Sequence, residues 1–585
     1  MDHISVGQRA LSIADVLLSI VDHIGPEDDI DLLSSEQKTL FHLGQTCKAA
    51  WHEIKPRLWR ALRAEAIYVN LPDDVKRLAS GDISFSARII QEAVRQRLLS
   101  NEEAEPLKRY CCYTRLLYLQ ELNTYSRNTA RNFLFALAVL PQLHAKIPAL
   151  HHISRIVIFN VHSASAASLT TALSPFLGQE LQSISLGLGR LQETPTALFR
   201  AIGERCSSLL HIHVDCTYMQ DWGAISRSLC ETVWKYCVGL KTVQVHFIDH
   251  GPEVWKALSA LPDLEEVDCT ARRNVSAIQP VVPDGLLVFP KLRVLTARRY
   301  QEEEEFEIEG TIDTSAFVPV TFSPLLAKLE FTCASGQKVF EMAAIVVDRW
   351  SETLRELDIS TVWQDDETGS LSFTALILQL YLLPHLTGLG IHDTYPFTLQ
   401  DSDIDRLTEA WPNLTRLQFS TRVSSWKLWT SRLTRRSIYT LAKAYPGLHS
   451  LAISIDHCRP YVEPLSLPQA APTCPLLIQW DSVDSRLNNV RGTVAFMLRY
   501  FPNIRIFYGS SSTNERAFIS ESLGTSSPDR YELQPAYVSP YEWSDFHFPD
   551  RGNLWDDEWD GTSQSSNSSL DEDSEYPADD FIGDE

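Results

Sequence analysis

The sequence predicts an α/β solenoid, in which short parallel strands stack side by side into a curved horseshoe with helices outside. Three observations predict it. A hexapeptide pattern of apolar, two spacers, apolar, spacer, apolar returns down the chain, as in Leu264-Glu265-Glu266-Val267-Asp268-Cys269, Leu354-Arg355-Glu356-Leu357-Asp358-Ile359 and Leu414-Thr415-Arg416-Leu417-Gln418-Phe419. Twelve copies begin at Leu181, Leu209, Leu240, Leu264, Leu292, Leu326, Leu354, Leu386, Leu414, Leu448, Leu477 and Ile504, a mean interval of about 29 residues that belongs to stacked repeats. Between copies lie segments with helical apolar spacing, such as Val254-Trp255-Lys256-Ala257-Leu258 and Ile404-Asp405-Arg406-Leu407.

Positions four and six of the pattern alternate about a polar residue, the period of a strand with one buried face, while position one packs the turn leading into it. A Pro stands two residues ahead of position one in many copies, as at Pro262, Pro324, Pro412 and Pro446. A strand plus a helix cannot bury its apolar face alone, so each unit depends on its neighbours.

Taken in order, the chain opens with two amphipathic helices. Ile13, Leu17, Ile20, Val21 and Ile24 recur at helical spacing, Ser12 is placed to cap them, and Gly25-Pro26 stops them. After a polar insertion from Glu27 to about Lys38, Leu40, Leu43, Cys47, Trp51 and Ile54 mark a second helix that ends near Pro56. Leu58-Trp59-Arg60-Ala61-Leu62 is expected to begin a third helix, and residues 63–106 to continue as helices with Ile89, Ile90, Val94 and Leu98 on one face. Two weaker repeats are read at Tyr113–Leu119 and Leu150–Ile158. Beyond the twelfth copy, residues 556–585 hold Asp, Glu and Ser with few apolar positions, a composition expected to stay disordered. Leu554-Trp555-Asp556-Asp557-Glu558-Trp559 is read either as a short docking motif or as a flap over the last repeat, and Ser568 and Ser569 stand in an acidic kinase-type context.

The repeats resemble the leucine-rich repeat family in its long, helix-containing form, over roughly residues 145–510. The strings Ile13-Ala14-Asp15-Val16-Leu17-Leu18-Ser19-Ile20, Leu43-Gly44-Gln45-Thr46-Cys47-Lys48-Ala49-Ala50-Trp51 and Leu58-Trp59-Arg60 resemble an F-box, with Ala14 where that family usually has Pro and with an insertion after Gly25. The resemblance implies an F-box-like helical domain over 1–65, a helical linker over 66–105, an irregular leucine-rich-repeat solenoid over 106–515 and an acidic tail over 516–585. It also implies partners: a Skp-type adaptor of a cullin-based SCF ubiquitin ligase, met by Ile13, Leu17, Leu18, Val21, Leu43, Cys47, Trp51, Leu58 and Trp59, and a protein substrate met by the repeats. The alternative reading is a non-catalytic repeat scaffold whose first helices only cap the solenoid.

Net charge is −23, and just over half of it sits in the last 30 residues, which carry twelve acids and no Lys or Arg. The rest is only mildly acidic, which argues against nucleic-acid binding by phosphate neutralisation. Eleven scattered Cys, no long apolar N-terminal core and no run of about 18 apolar residues make a reducing intracellular setting, cytoplasm or nucleus, the expectation, without a membrane span.

Cys206, His211, His213 and Cys216 offer four zinc-type ligands within eleven residues, but the repeat register is expected to splay them apart. Glu302-Glu303-Glu304-Glu305 reads as a solvated loop. Phosphate-loop, dinucleotide, nucleophile-elbow and zinc-protease motifs are absent, so neither catalysis nor a cofactor or metal is expected. What remains is surface. The residue between positions four and six is expected on the concave face, a row of Ser185, His213, Gln244, Asp268, Thr296, Glu330, Asp358, Gly390, Gln418, Ala452, Asp481 and Tyr508. It has four acids and no base and suits a polar or basic protein segment, with His213, Asp268, Glu330 and Asp358 as the candidate contacts.

Overall fold

The computed structural model describes Leu43, Ile54 and most of residues 60–509, excepting chiefly the segments 78–91, 121–126, 247–251, 272–285, 300–313, 362–372, 394–398, 422–431, 456–472 and 483–497. The chain divides into two units, Met1–Tyr531 and Glu532–Glu585, and every described residue belongs to the first.

Among the described residues the strands are β1 (Ala61–Arg63), β2 (Leu116–Gln120), β3 (Arg155–Phe159), β4 (Ser183–Gly187), β5 (His211–Asp215), β6 (Thr242–His246), β7 (Glu266–Ala271), β8 (Leu287–Val288) and β9 (Val294–Arg299). They continue with β10 (Thr321–Phe322), β11 (Lys328–Cys333), β12 (Glu356–Thr361), β13 (Gly388–Asp393), β14 (Arg416–Thr421), β15 (Ser450–Ala452), β16 (Gln479–Ser482) and β17 (Ile506–Gly509). All but β8 and β10, which pair with each other, form one 15-stranded parallel sheet in which the strands follow chain order. This is an irregular leucine-rich-repeat-type solenoid.

Among the described residues the helices include α1 (Ala64–Val69), α2 (Asp73–Arg77), α3 (Asn101–Cys111), α4 (Arg127–Lys146), α5 (Ala166–Leu173), α6 (Thr196–Arg205) and α7 (Trp222–Ser228), the last continued by a π turn at Leu229–Val233 and a helical turn at Trp234–Tyr236. Then come α8 (Pro252–Ser259), α9 (Gly336–Trp350), α10 (Phe373–Leu380), α11 (Asp401–Ala410) and α12 (Arg435–Ala444). Short polar side chains start several of them: Ser165, Asp221, Ser335 and Thr434 each accept a backbone N–H of the first turn.

The core follows the repeat pattern. All twelve position-one residues are buried, as are Leu357 and Ile359, Leu389 and Ile391, and Leu417 and Phe419 at positions four and six. Each such Leu contributes roughly 2 kcal/mol of burial, and the cluster runs without a break from Leu62 to Ile504. Polar atoms stitch neighbours together. The backbone carbonyl before each of β1–β7, β9 and β11–β14 accepts two N–H groups from the following repeat: Arg60 O from Arg115 and Leu116, Arg355 O from Thr387 and Gly388, Thr387 O from Thr415 and Arg416. Three residues before position one, Trp411 Nε1 donates to Leu383 O at 2.9 Å and Cys474 Sγ to Tyr445 O at 3.1 Å, each a carbonyl at the same place in the repeat before. Trp411 and Tyr445, whose hydroxyl donates to Leu407 O at 3.1 Å, thus end buried with their polar tips satisfied.

Two expectations change. Ala61–Arg63 is a strand and not a helix: it pairs with β2, and the carbonyl bonding of Arg60 is that of a repeat start, so the sheet begins at Ala61 and not near residue 106. Leu98 is 70% exposed while Leu99 is buried, because the helical segment ends at Gln96 and a bend at Arg97 turns the next side chain outward. The repeats at Tyr113–Leu119 and Leu150–Ile158 correspond to β2 and β3. Ile89, Ile90, Glu302–Glu305, Trp555, Trp559, Ser568 and Ser569 lie outside the described residues.

Candidate functional site

The twelve positions expected on the concave face fall in one continuous register across β4–β17, from the Ser185 to His213 pair to the Asp481 to Tyr508 pair. Because the side-chain period is two, position three of each copy shares that face. The flanking row there runs Glu266, Val294, Lys328, Glu356, Gly388, Arg416, Ser450, and it carries the bases that the first row lacks.

Over β11–β14 these two rows enclose a groove of about 410 Å³, lined by Lys328, Glu330, Glu356, Asp358, Thr387, Gly388, His392, Thr415, Arg416, Gln418 and His449. The groove exists because β13 places glycine at two successive open-face positions, Gly388 and Gly390, ahead of His392. A Cβ at Gly390 would stand 1.9 Å from Asp358 Oδ1, and one at Gly388 would stand 3.2 Å from Arg416 Nη2. With those side chains missing, Arg416 reaches from β14 over β13 to β12. Its Nη1 and Nη2 donate to Asp358 Oδ1 and Oδ2, both at 2.7 Å, a bidentate pair. Nη1 also donates to Gln418 Oε1 at 3.2 Å and Nη2 to Glu356 Oε2 at 3.5 Å, while Lys328 Nζ stands 3.8 Å from Glu356. Gln418 Nε2 donates onward to Ser450 Oγ at 3.1 Å.

Burial opposes the Arg416 charge, but the hydrogen bonds and charge of Asp358, with Glu356 and Glu330 behind them, outweigh it and raise the guanidinium pKa. Asp358 itself is buried, its side chain 7% exposed. The expectation that Asp358 faces solvent as part of an unopposed acidic row is therefore corrected: Arg416, two strands away, neutralises it. A sequence signal for the pair exists, namely an acid and an arginine on open-face positions separated by a strand with glycine at the two open-face positions between them.

The other two candidates sit apart from this groove. His213 Nδ1 is 2.8 Å from Ser185 Oγ, and its ring meets that of His246 edge-on at 5.1 Å. Burial, reinforced by the nearby His246, lowers its pKa to about 4 against the pull of Asp215 and Asp268, so the ring is neutral at pH 7. Asp268 is half-buried two strands further on. His211 and His213 lie on the open face, whereas Cys206 and Cys216 belong to the core, which separates the zinc-type residues. Among the described residues no group of three His, Cys, Asp or Glu could hold a metal ion, and no helix is long and apolar enough to cross a membrane. Of the adaptor-type residues only Leu43 is described, helical and half-buried; Ile13, Leu17, Leu18, Val21, Cys47, Trp51, Leu58 and Trp59 lie outside the described residues.

No protein-family model matches the chain, and no curated protein does. Among solved structures, a protein from Bacteroides fragilis is similar at 15% identity and a TM-score of 0.26 over 47% of this chain, which spans 66% of that one. An internalin from Listeria monocytogenes is similar at 11% identity and a TM-score of 0.29, covering 72% of this chain and 94% of its own. The complex of Rad7 and Elc1 in yeast is similar at 13% identity and a TM-score of 0.32, covering 72% of this chain and 92% of that one.

Proposed function

We propose that the chain is a non-catalytic protein-binding subunit that receives a protein segment on the open face of its sheet. The observation that supports this is the groove over β11–β14, whose polar groups are largely engaged with one another on rigid strands and so present a fixed shape instead of a reactive group. The finer part of the proposal rests on the F-box resemblance of the first 62 residues: the chain is the substrate-recognition subunit of an SCF-type ubiquitin ligase, docking a Skp-type adaptor through the helices that carry Leu17, Leu18 and Leu43.

Replacing Leu17, Leu18 and Leu43 together by Asp tests it. Capture of a purified Skp-type adaptor is expected to fall more than about tenfold, because apolar anchors carry most of an interface's energy, while the melting of the repeats stays unchanged. Adaptor capture equal to wild type would remove the ligase reading and leave a repeat scaffold capped by its first helices.

A further inference from the structure

The groove over β11–β14 carries both signs of charge: Lys328, Arg416 and His449 share its lining with Glu330, Glu356 and Asp358. Its charges are held unequally. Arg416 and Asp358 close on each other through two bonds of 2.7 Å and form the floor. Lys328 Nζ stands 3.8 Å from Glu356 Oε2, and Arg416 Nη2 donates to the same oxygen at 3.5 Å, both longer than a charge-assisted bond. The Lys328 and Glu356 side chains are 33% and 40% exposed, and a pair so open and so long is held by little, so each partner can turn to an outside charge at small loss. They are register partners on adjacent strands, which means that no occupant meets one without the other. An all-basic segment that reached Glu356 would come up against Lys328, and an all-acidic one that reached Lys328 would come up against Glu356. Gly388 leaves room beside the pair, since a Cβ there would stand 3.1 Å from Glu356 Cγ.

We propose that this groove receives a mixed-charge stretch of a partner protein, a base and an acid two residues apart on an extended segment, with the base on Glu356 and the acid on Lys328. Side chains two residues apart stand on the same side of an extended chain, so one such segment presents both charges to the groove together. The proposal rests on the protein-binding reading and adds the partner's chemistry. The Arg416–Asp358 pair stays closed beneath the occupant, and the Lys328–Glu356 pair opens to form two ion pairs where there was one long contact.

The test uses the full chain and three dansyl-labelled Gly-Ser peptides with blocked ends, whose cores are Lys-Ser-Glu, Lys-Ser-Lys and Glu-Ser-Glu. At low salt the mixed peptide is expected to bind the wild type about tenfold more tightly than either single-signed one. Lys328→Met should turn the preference toward Lys-Ser-Lys and Glu356→Gln toward Glu-Ser-Glu, opposite changes that a loss of folding does not produce. Lys108→Met and Glu105→Gln, at an exposed pair 3.4 Å apart on α3, make the same changes of net charge and should leave the order of the three peptides as in the wild type. A single-signed peptide that binds the wild type best, or the same turns of preference in the α3 variants, would overturn the mixed-charge proposal while the protein-binding reading stands. No binding of any of the three at about 1 mM would overturn both the proposal and the reading of this groove as a protein site.

Discussion

Asp358 and Arg416 act as one unit, and that fixes what each substitution does. Asp358→Ala leaves a mostly buried guanidinium without its bidentate partner and is expected to cost about 3 kcal/mol, as is Arg416→Ala. The double variant should cost less than the sum of the two, a coupling read from urea denaturation. Gly390→Ala belongs to the same set, because its methyl would stand where the Asp358 carboxylate lies, and its cost should shrink once Asp358 is already Ala. Additive losses would show that the pair contributes no coupling. His213 follows a different logic: a neutral, half-buried ring bonded to Ser185 holds two strands together without charge.

At the scale of the element, α3 shows how a helix start couples to pH. Ser100 Oγ accepts the Glu103 N–H at 3.1 Å and Glu103 Oε2 accepts the Ser100 N–H at 2.6 Å, a capping box. Arg97 adds a bidentate contact to Glu103 and another to Asp74 of α2 at 2.9 Å, so one arginine ties two helices. The Arg97 hydrogen bond, followed by that of the Ser100 backbone, lowers the Glu103 pKa from 4.5 to about 2. A depressed carboxylate stabilises the fold above its unfolded pKa and loses that contribution as pH falls through its folded value, here between 4.5 and about 2. Glu103→Gln should lower Tm at pH 7 and flatten its decline across that window. An unchanged decline on acidification would assign the acid sensitivity to other carboxylates.

For the sheet as a whole, every strand leans on its neighbour, so an end without a cap is a weakness. A chain beginning at residue 106 loses β1, α1, α2 and the capped start of α3. It would expose the β2 edge and Phe135, which meets Tyr68 of α1 edge-on at 5.8 Å. Its Tm is expected to fall by more than about 5 °C relative to the full chain in a thermal scan. Equal melting would show that these N-terminal elements do not close the sheet. The missed strand β1 explains itself on this scale: three residues with one buried Leu carry no periodicity, and only pairing with β2 makes them a strand.

The sequence by itself determined the repeat, its register and the face each side chain takes, because position one and the alternation at four and six are local patterns that depend on burial alone. It placed Glu330 and Asp358 side by side correctly, since parallel stacking in chain order brings equivalent positions together. Only the tertiary structure decided the electrostatics. Arg416 lies 58 residues from Asp358 and two strands away, and whether it reaches depends on what the strand between leaves empty. Gly388 and Gly390 leave that space, so a row that reads as acidic along the chain becomes a neutralised floor with two carboxylates beside it. Charge along a sequence is a sum over neighbours in the chain. The potential in a groove is a sum over neighbours in space, where the low dielectric of a half-buried site makes the nearest partner dominate.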